Sequence, residues 1–335
     1  MKQRVLITGA TGFVGSHILE QLMNHPEMEV IAACRDHQKL LPGFCGEVLE
    51  GDLRDPGYVE TLLDNIDIVC HAAAWTALWG HQQESEMLYL KPSLNLINQA
   101  IKKKVRRFIN VSTTSANPGL SADPLSPGLQ PAFWPHLVNV VKIENAMKDR
   151  AHEGCQMINL RLGLFAGERY GLGLLPILLP RLKTHLVPWV KSGSTNMPII
   201  DGRDIGRAFK LTCLADIEPN FEAFNIVGPT IPSTRDVIEF IHQHYRYPQP
   251  HFSVPFFIAY PFAWLMEKLD AIVSWEPLVT RSIIHLLEDT HADNQKACKQ
   301  LGYQAEIHWQ EAIKKQIDCL HKKNLPPMKM AKEIT

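Results

Sequence analysis

The sequence predicts an α/β fold: a doubly wound parallel sheet with a smaller, partly interleaved C-terminal lobe. Three observations predict it. A hydrophobic run at residues 4–7 meets a glycine turn, Thr8-Gly9-Ala10-Thr11-Gly12-Phe13-Val14-Gly15, and then an amphipathic helical pattern at 16–23. Short apolar runs alternate with helical patterns as far as residue 165, and buried strands joined by helical crossovers make a parallel sheet. After Phe165 that rhythm breaks.

Each element has a local reason. Further strands are read at 29–34, 48–53, 67–71, 107–112 and 156–162, where apolar residues run together. A helix at 55–63 has Asp55 as N-cap and Pro56 at its first position, both favoured at helix starts. The helix at 89–104 ends in a basic run, which suits the negative end of its dipole. Residues 117–135 are a Pro-rich loop, and Pro135 opens a helix to about Arg150. Beyond residue 165, helices are read at 204–215, 234–244 and 309–322 and a strand at 221–227. Gly302 stops a further helix. The expected domains are 1–165 for cofactor, 166–322 mainly for substrate with segments returning to the first, and 323–335 as a flexible tail.

Composition narrows the function. The 335 residues are 45% hydrophobic, and 34 basic residues face 35 acidic ones for a net charge of -1. Such balance offers no footprint for nucleic acid. The seven cysteines are scattered without CxxC spacing, as expected of buried free thiols in a reducing compartment. With no signal peptide in view, the expected localisation is cytoplasmic. The apolar stretch 254–266 is too short to span a bilayer. It reads as a buried pocket wall, with peripheral membrane contact as the alternative. The 15 histidines show no metal-ligand pattern and read as surface groups.

The glycine turn carries the chemistry. Gly9, Gly12 and Gly15, spaced GxxGxxG, let the chain turn tightly and let a pyrophosphate lie against backbone N–H groups at a helix N-terminus. Thr11, Phe13 and Val14 complete the loop around it. An Arg after the second strand would hold the 2′-phosphate of NADP, and an acid there the ribose of NAD. The strand ends Cys34-Arg35-Asp36, so Arg35 favours NADP, while Asp36 keeps NAD open.

Further motifs extend along the chain: Gly51-Asp52-Leu53, His71-Ala72-Ala73, Val111-Ser112-Thr113-Thr114, Lys142 with Glu144, Leu160-Arg161 and Gly202-Arg203-Asp204. With the glycine turn, they resemble the extended short-chain dehydrogenase/reductase family, also described as NAD-dependent epimerases/dehydratases. Within it, the chain is most similar to the 3β-hydroxysteroid dehydrogenase and dihydroflavonol reductase branch. The resemblance implies a Rossmann-type sheet, Asp52 and Leu53 beside the adenine, and Ala72, Ala73 and Ala74 on the nicotinamide side. It implies that Thr114 (or Thr113) polarises the substrate oxygen and that Lys142 holds the nicotinamide ribose.

The chain departs from that pattern. A Tyr four residues before the Lys is the family's acid/base, and here that position is Val138. Tyr89 stands where the family has Asn ahead of a Gly-Thr pair. Three readings stay open: Tyr89 takes over the proton; His136, Asn139 or a water does; or the relay is lost. The function is accordingly read as an NAD(P)-dependent oxidoreductase of a small hydrophobic alcohol or ketone, with a dinucleotide-binding sensor or scaffold as the alternative. The apolar stretches at 171–179 and 256–265 supply the hydrophobic pocket. The resemblance also implies a homodimer through the helices at 89–104 and 135–150.

Overall fold

The computed structural model describes residues 2–117, 132–218, 220–270, 279–286 and 292–323. In chain order the elements are β1 (Gln3–Thr8), α1 (Phe13–Leu22), β2 (Met28–Cys34), β3 (Glu47–Glu50), α2 (Pro56–Leu62), β4 (Ile68–His71), α3 (Gln82–Ser85), α4 (Lys91–Lys102), β5 (Arg107–Thr113), α5 (Pro135–Arg150) and β6 (Gln156–Leu162). The second half adds β7 (Leu164–Ala166), α6 (Leu174–Leu182), β8 (Trp189–Val190), β9 (Ile199–Asp201), α7 (Gly202–Leu214), β10 (Phe221–Ile226), α8 (Thr234–Tyr245), β11 (Ser253–Val254), α9 (Phe256–Asp270), α10 (Arg281–Leu286), α11 (Gln295–Leu301) and α12 (Trp309–Lys323).

Seven strands form one parallel sheet in the order β3-β2-β1-β4-β5-β6-β10. Alternate residues of β1 feed two cores. Val5 and Ile7 pack with α1 and α7, whereas Leu6 faces α2, α4 and α5. Both faces are thus covered, as a parallel sheet requires. Strand order reverses between β1 and β4, and the crevice at such a switch point is where α/β folds bind ligands. Helices α1 and α7 cross closely because Gly206 lies there; a Cβ on it would come within 2.4 Å of the His17 carbonyl oxygen. A third core joins α6, α8 and α12.

The strand at 221–227 proves to be the edge strand of the main sheet, in register with β6. The chain of the second half therefore returns to the first. The strand expected at 48–53 stops at Glu50, and the chain turns at Asp52, whose carbonyl accepts from the Asp55 N–H. The helix expected at 89–104 begins earlier. A π-turn, Glu86–Leu90, links α3 to α4. The expected Pro-rich loop lies outside the described residues over 118–131, and the expected tail does so over 324–335.

Two further expectations are corrected. Residues 256–265 are not a buried wall: Phe257, Ile258, Phe262, Trp264 and Leu265 of α9 are exposed. Nor are the histidines all at the surface, since His17 and His71 are buried. The cysteines are free, but Cys45 and Cys298 are exposed while Cys34, Cys70, Cys155 and Cys213 are buried.

Candidate functional site

The first wall of the site is the turn from β1 into α1. Gly9 sits at φ +66°, and a Cβ there would stand 2.7 Å from the Ala73 Cα. A Cβ on Gly15 would stand 2.1 Å from the Gly9 carbonyl oxygen. The turn is closed by the Gly12 N–H donating to that same oxygen at 2.9 Å. Helix α1 then starts at Phe13 with Gly12 as N-cap, no capping side chain and no acid in its first turn. Its first N–H groups lack intrahelical partners and carry the positive end of the dipole. Thr11 and Phe13 are half-buried at the rim, and Val14 and Gly15 are buried below it. A cradle that no side chain fills, ringed by free N–H donors, fits the pyrophosphate of a dinucleotide.

The adenine end is set by β2 and β3. Cys34 is buried, so nothing acidic closes β2. Arg35 is exposed beside it. Asp36 caps a short turn by accepting from the Gln38 N–H at 3.1 Å and pairs with Lys39 at 2.9 Å. Those contacts, the Lys39 ammonium first, hold its carboxyl below the usual range. The Asp52 carboxylate is gripped by Arg54 at 2.7–3.0 Å, and Leu53 packs on the core.

Behind the nicotinamide side runs a buried polar chain. Thr8 Oγ1 lies 2.8 Å from His71 Nδ1, and His71 Nε2 lies 2.9 Å from Ser93 Oγ. The Ala73 N–H donates to Thr8 Oγ1 at 3.3 Å, which fixes the segment Ala72 to Ala74 against β1. Burial pushes the His71 pKa down to about 4. Its ring is neutral at pH 7, with one nitrogen donating and the other accepting.

The opposite wall is α5 with the turns it packs on, one carrying Tyr89 and one carrying Thr114. Thr114 is buried at the end of β5; Thr113 caps the turn by accepting from the Ser115 N–H at 3.2 Å. Tyr89 is buried, and the π-turn sets it against the His136 ring at a centroid distance of 5.1 Å. π-turns of this kind are frequent at functional sites. Burial, aided by the Glu144 carboxylate, raises the Tyr89 pKa well above that of an ordinary phenol. Burial pushes His136 down to about 4, and its Nδ1 is buried without a hydrogen-bond partner. Asn139 is buried, its amide donating to Ser85 Oγ at 2.9 Å. Below lies a buried ion pair: Arg161 grips Glu144 at 2.6–3.2 Å, and Ser112 donates to the same carboxylate.

The phase of α5 sets Lys142 and Tyr89 on different sides of the helix. Lys142 is exposed, on one stripe with the exposed Asn145 and Asp149 and the half-buried Val138. At 100° per residue that stripe lies roughly opposite the buried line Val140, Ile143 and Met147, which the half-buried His136 continues. Lys142 therefore does not face the wall that holds Tyr89. The α5 residue turned toward Tyr89 is His136, two positions before Val138. The sequence offered His136 only as one substitute among several, because without the Tyr nothing anchors the helical phase. Among the described residues, no group of three or more His, Cys, Asp or Glu could hold a metal.

Comparison with known proteins agrees with this geometry. Residues 5–227 match the NAD dependent epimerase/dehydratase family. Over 337 residues, 93% of this chain and 96% of the other, the protein is 25% identical to the uncharacterized protein YbjS of Escherichia coli. Over 120 residues, a third of each chain, it is 30% identical to the 3 beta-hydroxysteroid dehydrogenase/Delta 5-->4-isomerase of Mycobacterium tuberculosis. That stretch and the 126 residues shared with a trifunctional UDP-glucose 4,6-dehydratase of Arabidopsis thaliana span 32% and 19% of those relatives. The solved UDP-glucuronic acid 4-epimerase from Bacillus cereus, in complex with UDP-glucuronic acid and NAD, superposes with a TM-score of 0.71. That superposition covers 96% of this chain and 100% of the other at 19% identity, a likeness of fold. With well over half its length matched, and with the cradle and sheet order that the match entails, the chain belongs to the NAD dependent epimerase/dehydratase family.

Proposed function

We propose that the protein is an NADP-dependent oxidoreductase that reduces the carbonyl of a hydrophobic substrate, with Tyr89 as proton donor. When bound, the nicotinamide supplies the reducing equivalent; the chain holds the substrate oxygen and delivers the proton. The Tyr89–His136 contact carries the reading. In the resemblance, a Lys lowers the pKa of the catalytic phenol. Here Lys142 is on the far side of α5, and the phenol stays protonated at neutral pH. A phenol of raised pKa is a poor base, yet it protonates an alkoxide readily, so the reductive direction is favoured. Neutral His136 packs its ring beside that phenol, and Thr114 orients the oxygen. Arg35, with no acid at the end of β2, supports NADP over NAD.

The substrate class follows from where the cations are spent. Arg169 pairs with Glu20, Arg203 with Asp201 and Glu311, Arg207 with Asp204 and Glu306, and Arg281 with Glu267. Guanidinium groups so engaged are poor clamps for a nucleotide diphosphate. A nucleotide sugar is the second reading, favoured by 25% identity over 84% of the chain to a UDP-N-acetyl-alpha-D-glucosaminuronate decarboxylase of Bacillus cytotoxicus. The test is turnover of NADPH with a panel of hydrophobic ketones and a panel of UDP-sugars. The expected result is oxidation of NADPH by a ketone, with kcat falling about 100-fold or more in Tyr89→Phe, as for loss of a general acid. Activity on UDP-sugars alone selects the second reading. Binding of NADPH without turnover of either panel leaves a dinucleotide sensor.

A further inference from the structure

Helix α9 is patterned inside out. Its small residues Ala259 and Ala263 are buried against Val190, Val254 and Ile284. Its large apolar residues point to solvent: Phe257 is 76% exposed, and Ile258, Phe262, Trp264 and Leu265 are 46–49% exposed. At 100° per residue the five fall within about 160° of arc, one continuous face. Glu267 of this helix is turned inward onto Arg281, at 2.6–2.8 Å. Lys268 brings a positive charge to the outer face. A surface helix of a globular protein shows the reverse pattern, and an apolar face this concentrated marks a docking surface.

The surroundings say what docks. The strand pair β8–β11 brings the segments on either side of it together, and His185 stacks on His251 at 5.6 Å. Leu186, 67% exposed, and Phe252, 48% exposed, continue the apolar surface there. Between Glu168 and Asp201 the sequence has Arg169, Arg181, Lys183 and Lys191 and no acid. Between Glu239 and Glu267 it has Arg246 and no acid. In a chain of net charge -1 this is a local excess of cations. Exposed Phe, Trp and Leu edged by Lys and Arg is the composition of a helix lying in a membrane interface, and cationic flanks select anionic headgroups. None of the described helices is long and apolar enough to cross a membrane.

We propose that α9, with the β8–β11 edge beside it, seats the protein on an anionic lipid bilayer. The helix lies in the plane of the surface with Phe257, Phe262 and Trp264 in the acyl boundary and Lys268 reaching back to the headgroups. The inference stands apart from the proposed reaction and holds for either substrate class.

The experiment is co-sedimentation of the full chain with vesicles of phosphatidylcholine alone or mixed with phosphatidylglycerol. The protein is expected to pellet with the anionic vesicles and to remain mostly in solution with the neutral ones. In Phe257→Glu/Phe262→Glu the bound fraction is expected to fall about tenfold or more, with NADPH binding and circular dichroism unchanged. Brominated lipid is expected to quench tryptophan emission in the wild type and to do so less in Trp264→Phe. A wild-type protein that ignores anionic vesicles overturns the proposal. So does equal vesicle binding by the wild type and the double variant. A wild-type dimer that the double variant converts to monomer, with no vesicle binding by either, overturns it in favour of a second copy as the occupant.

Discussion

Single residues decide which coenzyme enters and how the site responds to acid. In the proposed function the exposed Arg35 meets a 2′-phosphate, and a charge-assisted hydrogen bond contributes about 1.5–3 kcal/mol. Arg35→Glu is therefore expected to weaken NADPH roughly 10- to 100-fold and NADH little, as read by nicotinamide fluorescence. His71 gives a pH signature. Its pKa is near 4 in the folded chain and about 6.5 unfolded. The unfolded state thus binds more protons between those values, so stability rises with pH across that window and is complete above it. Falling from pH 7 to pH 4 is expected to cost roughly 3 kcal/mol from this one group. Urea unfolding of the wild type and of His71→Gln at several pH values checks it. The variant should show the shallower acid slope.

At the scale of elements, α5 is where the reading of the site turns on helical phase. With Lys142 on the outer stripe, Lys142→Ala is expected to leave NADPH affinity and stability within about 0.5 kcal/mol, as for an ordinary surface site. Glu144→Ala removes the carboxylate that Arg161 grips in the core, and removing one partner of a buried pair costs roughly 3–5 kcal/mol. Thermal unfolding of the two variants side by side tests the phase directly. A ribose-holding lysine would instead show as a loss of coenzyme affinity in Lys142→Ala with normal folding.

These elements also show what the sequence makes legible. The glycine turn and α1 are local: each glycine is required by contacts within a few residues or with the adjoining β4 turn, so the spacing alone announces them. The start of α5 at Pro135 is local in the same way. Its phase toward the site is not, because that depends on which residues α4 and β5 present to it. The π-turn at Tyr89 likewise has no signature in composition. Helix α9 misleads for a simpler reason. An apolar run reads as buried, and only the fold reveals that its alanines face inward and its aromatics outward.

Across the whole molecule, one sheet edge and one switch point organise everything else. Strand β10 crosses back from the second half to the edge of the main sheet, and α7 packs on α1, so the second half is held to the first by core rather than by a linker. Long-range pairing of this kind is invisible to local pattern, although the strand itself at 221–227 was readable. The crevice between β1 and β4, floored by the Thr8–His71–Ser93 chain and mouthed by the free N–H groups of α1, is the feature on which the account depends. The most direct measurement is titration of NADPH into wild-type protein and into Gly15→Ala, followed by nicotinamide fluorescence. Saturable binding by the wild type, lost in a variant whose sheet remains folded by circular dichroism, is the expected result. A folded wild-type protein that leaves both NADPH and NADH unbound at millimolar concentration would contradict the account.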